Sequence, residues 1–249
     1  MNEKDTFKLC VINPNTSEAM TKQIYLAAKS IASPNTKIIC TNPRFGPESI
    51  EGFYDEAFCV PGIIEEIEKN RDSEAYIIAC FDDTGLDASR TFTDKPVIGI
   101  GEASYHAANM MGGHFSVITT LPTSISALEN NLKKYGLYQN CCSVVSIELP
   151  VLELEKQPNL TEKKLQSKIE QLLDKTRTEI IVLGCAGMQN FASKMQTKFG
   201  VPIIEGISSG VKFAESFVAL GLKTSKRSSY SYPRQKRYLG KFRKYQPKF

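Results

Sequence analysis

Tyr76-Ile77-Ile78-Ala79-Cys80-Phe81-Asp82-Asp83-Thr84-Gly85 is an apolar run that stops at a cysteine and a polar turn, and Ile181-Val182-Leu183-Gly184-Cys185-Ala186-Gly187 repeats it 105 residues later. Short Val/Ile-rich runs bounded by turn residues are the signature of strands buried on both faces. Two more landmarks recur at nearly the same spacing. Val11-Ile12-Asn13-Pro14-Asn15-Thr16-Ser17 has its partner in Val117-Ile118-Thr119-Thr120-Leu121-Pro122-Thr123-Ser124, 106 residues on. Lys95-Pro96-Val97-Ile98-Gly99 has its partner in Val201-Pro202-Ile203-Ile204-Glu205-Gly206, with one residue inserted. Three landmarks at one offset describe a duplicated unit, and two similar lobes related by a pseudo-twofold follow.

Outward from these landmarks, apolar runs at Leu9–Ile12, Lys37–Cys40, Ala75–Cys80, Val97–Ile100, Phe115–Thr119, Ser143–Ile147, Glu179–Leu183 and Ile203–Ile204 predict strands. Between them, helical spacing covers Ser17–Ile31, Cys59–Lys69, Ile125–Tyr135, Thr161–Lys175 and Ser208–Leu220. The alternation predicts an α/β fold: two pseudo-symmetric lobes, each a mostly parallel sheet flanked by helices, with the site in the cleft between them.

Composition excludes several classes. At 249 residues, 41% hydrophobic and 23% charged, the chain is ordinary globular material, long enough to bury a core unaided. No apolar stretch approaches the ~18–20 residues of a membrane helix. Met1 to Cys10 has no apolar h-region, so a cytoplasmic protein without membrane partners is expected. The net charge of +4 is unevenly spread. Residues 223–249 hold ten Lys or Arg and no acid, which leaves residues 1–222 with 21 basic against 27 acidic groups. A basic tail interleaved with Tyr230, Tyr232, Tyr238 and Tyr245 has the makings of a nucleic-acid contact, but no nucleic-acid motif accompanies it. The expectation is no nucleic-acid partner and a tail lying over the acidic body or a neighbouring subunit.

The seven cysteines form no C-x-x-C pair, and with only His106 and His114 available no zinc site is expected. Each cysteine defaults to a small buried hydrophobe. Cys80 and Cys185 stand apart because each ends an apolar strand, where parallel α/β sheets bind ligands. Facing lobes point both thiols at one cleft from opposite sides; the plainer reading is two buried cysteines made equivalent by duplication. Asp83 or Thr84 is placed to cap the following helix, whose amides favour a thiolate and lower a thiol pKa.

Two thiols on opposite faces suit one chemistry: removing a proton from a carbon on one side and returning it from the other inverts the centre. A thiol pKa near ~8.5 lets the pair act as acid and base near neutrality. No metal or pyridoxal phosphate is needed where carbonyl or ureido groups already acidify the carbon. Asn13, Asn15, Thr16 and Ser17 form a polar loop after the first strand and Thr119 and Thr120 its counterpart, both offering donors to ligand oxygens. Ser17 and Thr16 read equally well as helix caps and Pro14 as a first-turn proline. Asn42–Gly52 is a candidate lid, with Arg44 more at home in solvent. Gly99-Ile100-Gly101 has two of the three glycines of a dinucleotide fingerprint and lies too late in its lobe. His106, in an Ala/Met-rich helical stretch, and His114 lack a nucleophile motif nearby.

The motifs Ile12-Asn13-Pro14-Asn15-Thr16-Ser17, Gly46-Pro47-Glu48-Ser49-Ile50-Glu51-Gly52, Ala79-Cys80-Phe81-Asp82-Asp83-Thr84-Gly85-Leu86 and Val182-Leu183-Gly184-Cys185-Ala186-Gly187-Met188 resemble the Asp/Glu/hydantoin racemase superfamily, and within it the hydantoin and allantoin racemase branch. The resemblance runs from about residue 8 to the tail, where Gly221–Lys226 also matches. It implies a cofactor-independent two-base racemase with Cys80 and Cys185 as catalytic acid and base. It implies substrate contacts from Asn13, from the backbone at Phe81 and Asp82, from Thr119 and Thr120, and from the Ala186 and Gly187 amides. It further implies a homo-oligomer and a discontinuous first lobe, 1–103 with 206–249, around a second, 104–205. Amino-acid racemases of the superfamily typically carry Asn-Thr after the first cysteine; Phe81-Asp82 stands there instead. Asp82 and Asp83 would repel a carboxylate, so a neutral ring ureide, a 5-substituted hydantoin or allantoin, is the expected small-molecule substrate. Two cysteines argue against the one-cysteine decarboxylase branch. A small-dicarboxylate racemase and a non-catalytic ureide- or carboxylate-binding protein remain the alternatives.

Overall fold

A computed structural model describes residues 6–247. The ends of the expected lobe and tail ranges, residues 1–5 and 248–249, lie outside the described residues. The first sheet contains β1 (Phe7–Ile12), β2 (Thr36–Thr41), β3 (Ala75–Ile78) and β4 (Val97–Gly99), ordered β2-β1-β3-β4 and parallel throughout. The second contains β5 (Phe115–Thr119), β6 (Cys141–Ser146), β7 (Ile180–Leu183) and β8 (Ile203–Glu205), ordered β6-β5-β7-β8 and again parallel. The duplication read from the sequence is thus a duplication of sheet order. It extends to single bonds: the Ala79 amide donates to Ile12 O and the Gly184 amide to Ile118 O, both at 2.8 Å.

Helices join the strands: α1 (Glu18–Ile31), α2 (Phe53–Lys69), α3 (Leu86–Phe92), α4 (Ile100–Met111), α5 (Pro122–Lys134), α6 (Glu153–Lys156), α7 (Pro158–Lys175), α8 (Ala192–Phe199) and α9 (Gly206–Ala219). Period-two alternation divides each strand between two cores. Leu9, Val11, Ala75 and Ile77 face a central core shared with Val117 and Val182 of the second sheet. Cys10, Ile12, Tyr76 and Ile78 face an outer core with Cys59, Ile63 and Ile67 of α2. On the far side, Ile118, Ile181 and Leu183 pack on Leu165 and Ile169 of α7. After β8 the chain returns, and α9 lies against α1, α4 and the first sheet.

Most strand and helix boundaries match the sequence reading within a few residues; α2 starts six residues before the expected Cys59, and α3, α6 and α8 are additional. Ser17 caps α1, its hydroxyl accepting from the Met20 amide. Pro14 lies in the preceding loop, while its counterpart Pro122 occupies the first turn of α5. Neither Asp83 nor Thr84 caps α3, whose cap is Gly85 in the left-handed region. Asp83 serves α4 instead, accepting from the amides of Gly101 (3.0 Å) and Glu102 (2.8 Å).

The basic tail lies over the body. Thr224 donates to Asp94 O, Lys223 pairs with Asp94, Tyr230 OH donates to Asp87, and Tyr245 OH and Lys244 meet Glu65. A cavity of about 510 Å³ separates this tail from α2 and α3. Among the described residues no helix is long and apolar enough to cross a membrane.

The Asp83 contact demands glycine at its receptor. A Cβ on Gly101 would sit 2.3 Å from Phe81 O and 2.8 Å from Asp83 Oδ2. Gly101→Ala is expected to cost on the order of 2–4 kcal/mol in chemical denaturation. Gly113→Ala, where a Cβ would meet only the flexible end of Glu179 at 3.6 Å, should stay within about 1 kcal/mol.

Candidate active site

In both sheets the strand order reverses between the first and third strands, β1/β3 and β5/β7, and α/β ligand sites form at such switch points. Here the two switch points open on one small cavity of about 40 Å³. Asn13 and Asn15 reach it from β1, Cys80, Phe81 and Asp82 from β3, Thr119 and Thr120 from β5, and Gly184, Cys185 and Ala186 from β7. Since one water needs ~10–15 Å³ of such space, the closed site holds about three. Ile50 of the expected lid forms part of the wall, and Glu51 beside it accepts the Val151 amide at 2.9 Å, latching the lid to the second half of the chain. Arg44 is exposed, and neither histidine lines the cavity.

The two thiols have equivalent settings. Cys80 Sγ accepts the Asp82 amide and lies 3.5 Å from Thr84 Oγ1; Cys185 Sγ accepts the Gly187 amide. The carbonyls of Cys80 and Cys185 each accept an amide three residues on, from Asp83 and Met188, at 3.0 Å. Their accessible surface faces the cavity, while protein surrounds them on every other side.

The expected lowering of the thiol pKa values is not found. Burial pushes Cys80 well above the ordinary thiol value, the Asp82 charge adding to it, and pushes Cys185 up to about 12. One amide donor per sulfur pulls the other way and does not offset desolvation. The helix-start amides that were expected to help are elsewhere: α3 begins six residues after Cys80, and the start of α4 is taken by Asp83. Cys10, Cys40, Cys59 and Cys141 are likewise pushed up to about 12 by burial, as small core hydrophobes should be.

Several expected ligand contacts are engaged within the protein. Asn13 Nδ2 donates to Asn15 Oδ1 (2.8 Å) and Thr21 Oγ1 (3.0 Å), so this side chain shapes its loop. Thr119 Oγ1 donates to Gly184 O at 3.3 Å, tying β5 to β7. Phe81 packs edge-on against Tyr105 in the central core and presents backbone to the site. Gly187 is not part of the wall; its amide serves the Cys185 sulfur. Asp82 is different. Its peptide oxygen is held by Asn131 Nδ2 at 2.7 Å, yet its buried Oδ2 has no hydrogen-bond partner. Burial, with Glu56 and Asp83 nearby, pushes its carboxyl up to about 8. Sequence reading missed Met20, Ile50, Ser124 and Val151 of the wall; Ser124 was signalled by the repeat and Ile50 by the lid, but Val151 had no signal. Among the described residues no cluster of His, Cys, Asp or Glu is arranged to hold a metal ion.

Known proteins share this sequence pattern and fold. Residues 9–214 match the family model described as Asp/Glu/Hydantoin racemase. A hydantoin racemase from Pseudomonas sp. (strain NS671) is 44% identical over 94% of this chain and 94% of its own. One from Rhizobium meliloti is 42% identical over 92% of this chain and 96% of its own. The solved structure of an allantoin racemase from Klebsiella pneumoniae superposes with a TM-score of 0.94 at 41% identity, covering 97% of this chain and 100% of that one. The chain belongs to the Asp/Glu/hydantoin racemase family and is an enzyme of the racemase class.

The Asp82 carboxyl gives a stability test. With a folded value of about 8 and an unfolded value near ~3.9, the folded chain keeps a proton that the unfolded chain releases. This group's contribution is complete below pH ~4 and is lost as pH rises toward about 8. Asp82→Asn should therefore raise the melting temperature at pH 8 and leave it nearly unchanged at pH 4, in parallel thermal melts.

Proposed function

We propose that the chain interconverts the enantiomers of a hydantoin-type ring ureide, a 5-substituted hydantoin or allantoin, by proton transfer between Cys80 and Cys185 at the ring carbon flanked by a carbonyl and a ureido nitrogen. The observation that carries this reading is the position of both thiols on one cavity, at equivalent strand ends of two sheets. One cysteine, as thiolate, takes the C–H proton on its face of the ring. The electron pair of that bond moves onto the adjacent carbonyl, giving an enolate. The other cysteine, as thiol, returns its own proton to the opposite face, and the carbonyl re-forms. Each turnover leaves the two sulfurs with exchanged protonation states, ready for the opposite enantiomer. The flanking carbonyl and ureido groups acidify the carbon, so the reading includes no metal or organic cofactor. It takes a small-molecule substrate alone as partner and keeps the division into 1–103 with 206–249 and 104–205, as a cytoplasmic homo-oligomer.

The neutral ring, rather than an amino acid, is favoured by the cavity wall, where the residues described include the acid Asp82 and no Lys, Arg or His to pair with a substrate carboxylate. Proton NMR in D₂O with single enantiomers of 5-benzylhydantoin, allantoin, aspartate and glutamate tests the reading. Accelerated exchange of the ring proton with loss of optical rotation is expected for the ureides only. Cys80→Ser and Cys185→Ser should each lower racemisation by at least about 10³-fold, while each variant still exchanges the proton of one enantiomer. Full racemisation by both variants would refute a two-thiol mechanism.

Burial also sets the pH dependence. At rest both sulfurs are thiols, and the productive form has lost one proton. The value of kcat/KM should rise about tenfold per unit from pH 6 and flatten near pH 8, where Asp82 loses its proton and its charge begins to oppose the thiolate. An optimum below pH 7 would contradict this assignment.

A further inference from the structure

Around the two thiols several polar side chains that form the site are engaged within the protein. Asn13 is bound to its own loop, Thr119 to Gly184, and Asp83 to Gly101, Glu102 and, through the Tyr135 hydroxyl, to the end of α5 at 2.8 Å. The hydroxyls of Thr120 and Ser124 are not, and among the described residues lining the cavity Asp82 alone has a buried side-chain atom left without a partner. It retains 9% of its accessible surface, lines the cavity together with both cysteines, and leaves Oδ2 buried and unpartnered. Its backbone is nevertheless fixed from both sides, by Asn131 on its own carbonyl and by the bonds that hold Asp83. A buried polar atom without a partner is costly to a fold, and one on a rigid loop in a ligand cavity has its partner in the ligand.

We infer that the Asp82 carboxyl recognises the amide edge of the substrate ring, its O–H donating to the ring carbonyl beside the reacting carbon and its other oxygen accepting the adjacent ring N–H. This rests on the ring-ureide reading above. A carboxylic acid and a cyclic amide are complementary in this way: both present one donor and one acceptor side by side in a plane. An amino acid zwitterion has no such edge, so the pairing selects ring ureides. It also places a hydrogen-bond donor on the oxygen that becomes the enolate, where charge develops in the transition state. The pairing needs the neutral acid, and the surroundings supply it. The groups facing Asp82 are Glu56 from α2, Asp83 and Cys80 from its own turn and Cys185 from the β7 turn; none is a base that would hold a carboxylate, and burial disfavours the charge. A neutral acid beside one thiolate is kept neutral for the same reason as one member of a carboxylate pair.

A carboxamide presents the same donor–acceptor edge as the acid, and a methyl group presents neither. Steady-state racemisation of 5-benzylhydantoin by the full chain, Asp82→Asn and Asp82→Ala is therefore decisive. The expected result is kcat/KM within about tenfold of the unaltered chain for Asp82→Asn, and a loss on the order of 10²–10³-fold for Asp82→Ala, expressed mainly in kcat. The pH profile gives a second reading that a packing role would not move. The flattening near pH 8 should disappear in Asp82→Asn, whose kcat/KM keeps rising to pH 9 after subtraction of the uncatalysed rate. Should Asp82→Ala fail to fold, the unaltered chain and Asp82→Asn carry the test through N3-methyl-5-benzylhydantoin, which lacks the paired N–H and should be turned over at least about 10²-fold more slowly by both. The inference is overturned if Asp82→Asn falls as far as Asp82→Ala, if Asp82→Ala stays within threefold, or if the methylated ring is an equal substrate. No turnover of any ureide by the unaltered chain overturns the ring-ureide reading itself, and this inference with it.

Discussion

The Asp83 carboxyl at the start of α4 is the contact on which the rest of the site depends. It is fully enclosed, in a left-handed backbone conformation (φ 53°), and accepts two helix-start amides and the Tyr135 hydroxyl. The amides are reachable only because Gly99 and Gly101 leave room; a Cβ on Gly99 would fall 2.1 Å from Asp83 Oδ1. Burial and the neighbouring Glu102 raise this acid while its three donors lower it, and the balance leaves it at about 7. A left-handed Asp is tolerable where the surroundings over-determine it. What it achieves is placement: the turn from Cys80 to Gly85 is tied to α4 by Asp83 and to α5 by Asn131 and Tyr135. The first thiol is thereby held in register with the sheet that carries the second.

Duplication explains why the site has two similar halves, and inversion of a carbon explains what two halves are good for. A racemase must treat both faces of a flat intermediate alike, and in the proposed mechanism the pair of equivalent thiols at two switch points would do so. The same enzyme must bind both enantiomers in one ring orientation, and that calls for asymmetry. The turns supply it: Phe81-Asp82-Asp83 follows one cysteine and Ala186-Gly187-Met188 the other. Both turns give the sulfur an amide at the second residue, but only the first presents a carboxyl to the cavity. In the proposed mechanism the symmetric groups move protons and the asymmetric one holds the ring.

Much of this was legible in the sequence because it was periodic. Buried parallel strands read as apolar runs, and the 105- to 106-residue offset marked equivalent strand ends before any coordinates, which brought Cys80 and Cys185 together. Helices α3 and α8, at seven and eight residues, are too short for a helical period to show. The role of Asp83 was illegible for another reason: its partners lie 18, 19 and 52 residues away, and local rules could assign it only to the nearest helix. The glycines of Gly99-Ile100-Gly101 make room at the start of α4 for the Asp83 carboxyl, a role that their spacing alone does not reveal. The thiol pKa values were misjudged because capping is a local property whereas desolvation belongs to the assembled site.

That desolvation bears directly on the chemistry. A thiol raised by burial is a stronger base once ionised, but each unit of increase lowers the thiolate population tenfold and improves the proton-transfer rate by less than tenfold. Raising both sulfurs is therefore a net loss unless the cost of the single required thiolate is kept small. The amides of Asp82 and Gly187 reduce that cost by one hydrogen bond each. The charge on Asp82, on the same cavity wall, raises both sulfurs: at Cys80 it outweighs the amide, and at Cys185 the Gly187 amide outweighs it. In the proposed mechanism an ionised Asp82 would oppose both the thiolate and the enolate, whereas a neutral one would oppose neither and would donate to the oxygen that becomes charged. Burying this acid beside Glu56 and Asp83 thus lowers the stability of the fold at neutral pH while sparing the site a second negative charge, which is the exchange that two-thiol proton transfer in a closed cavity requires.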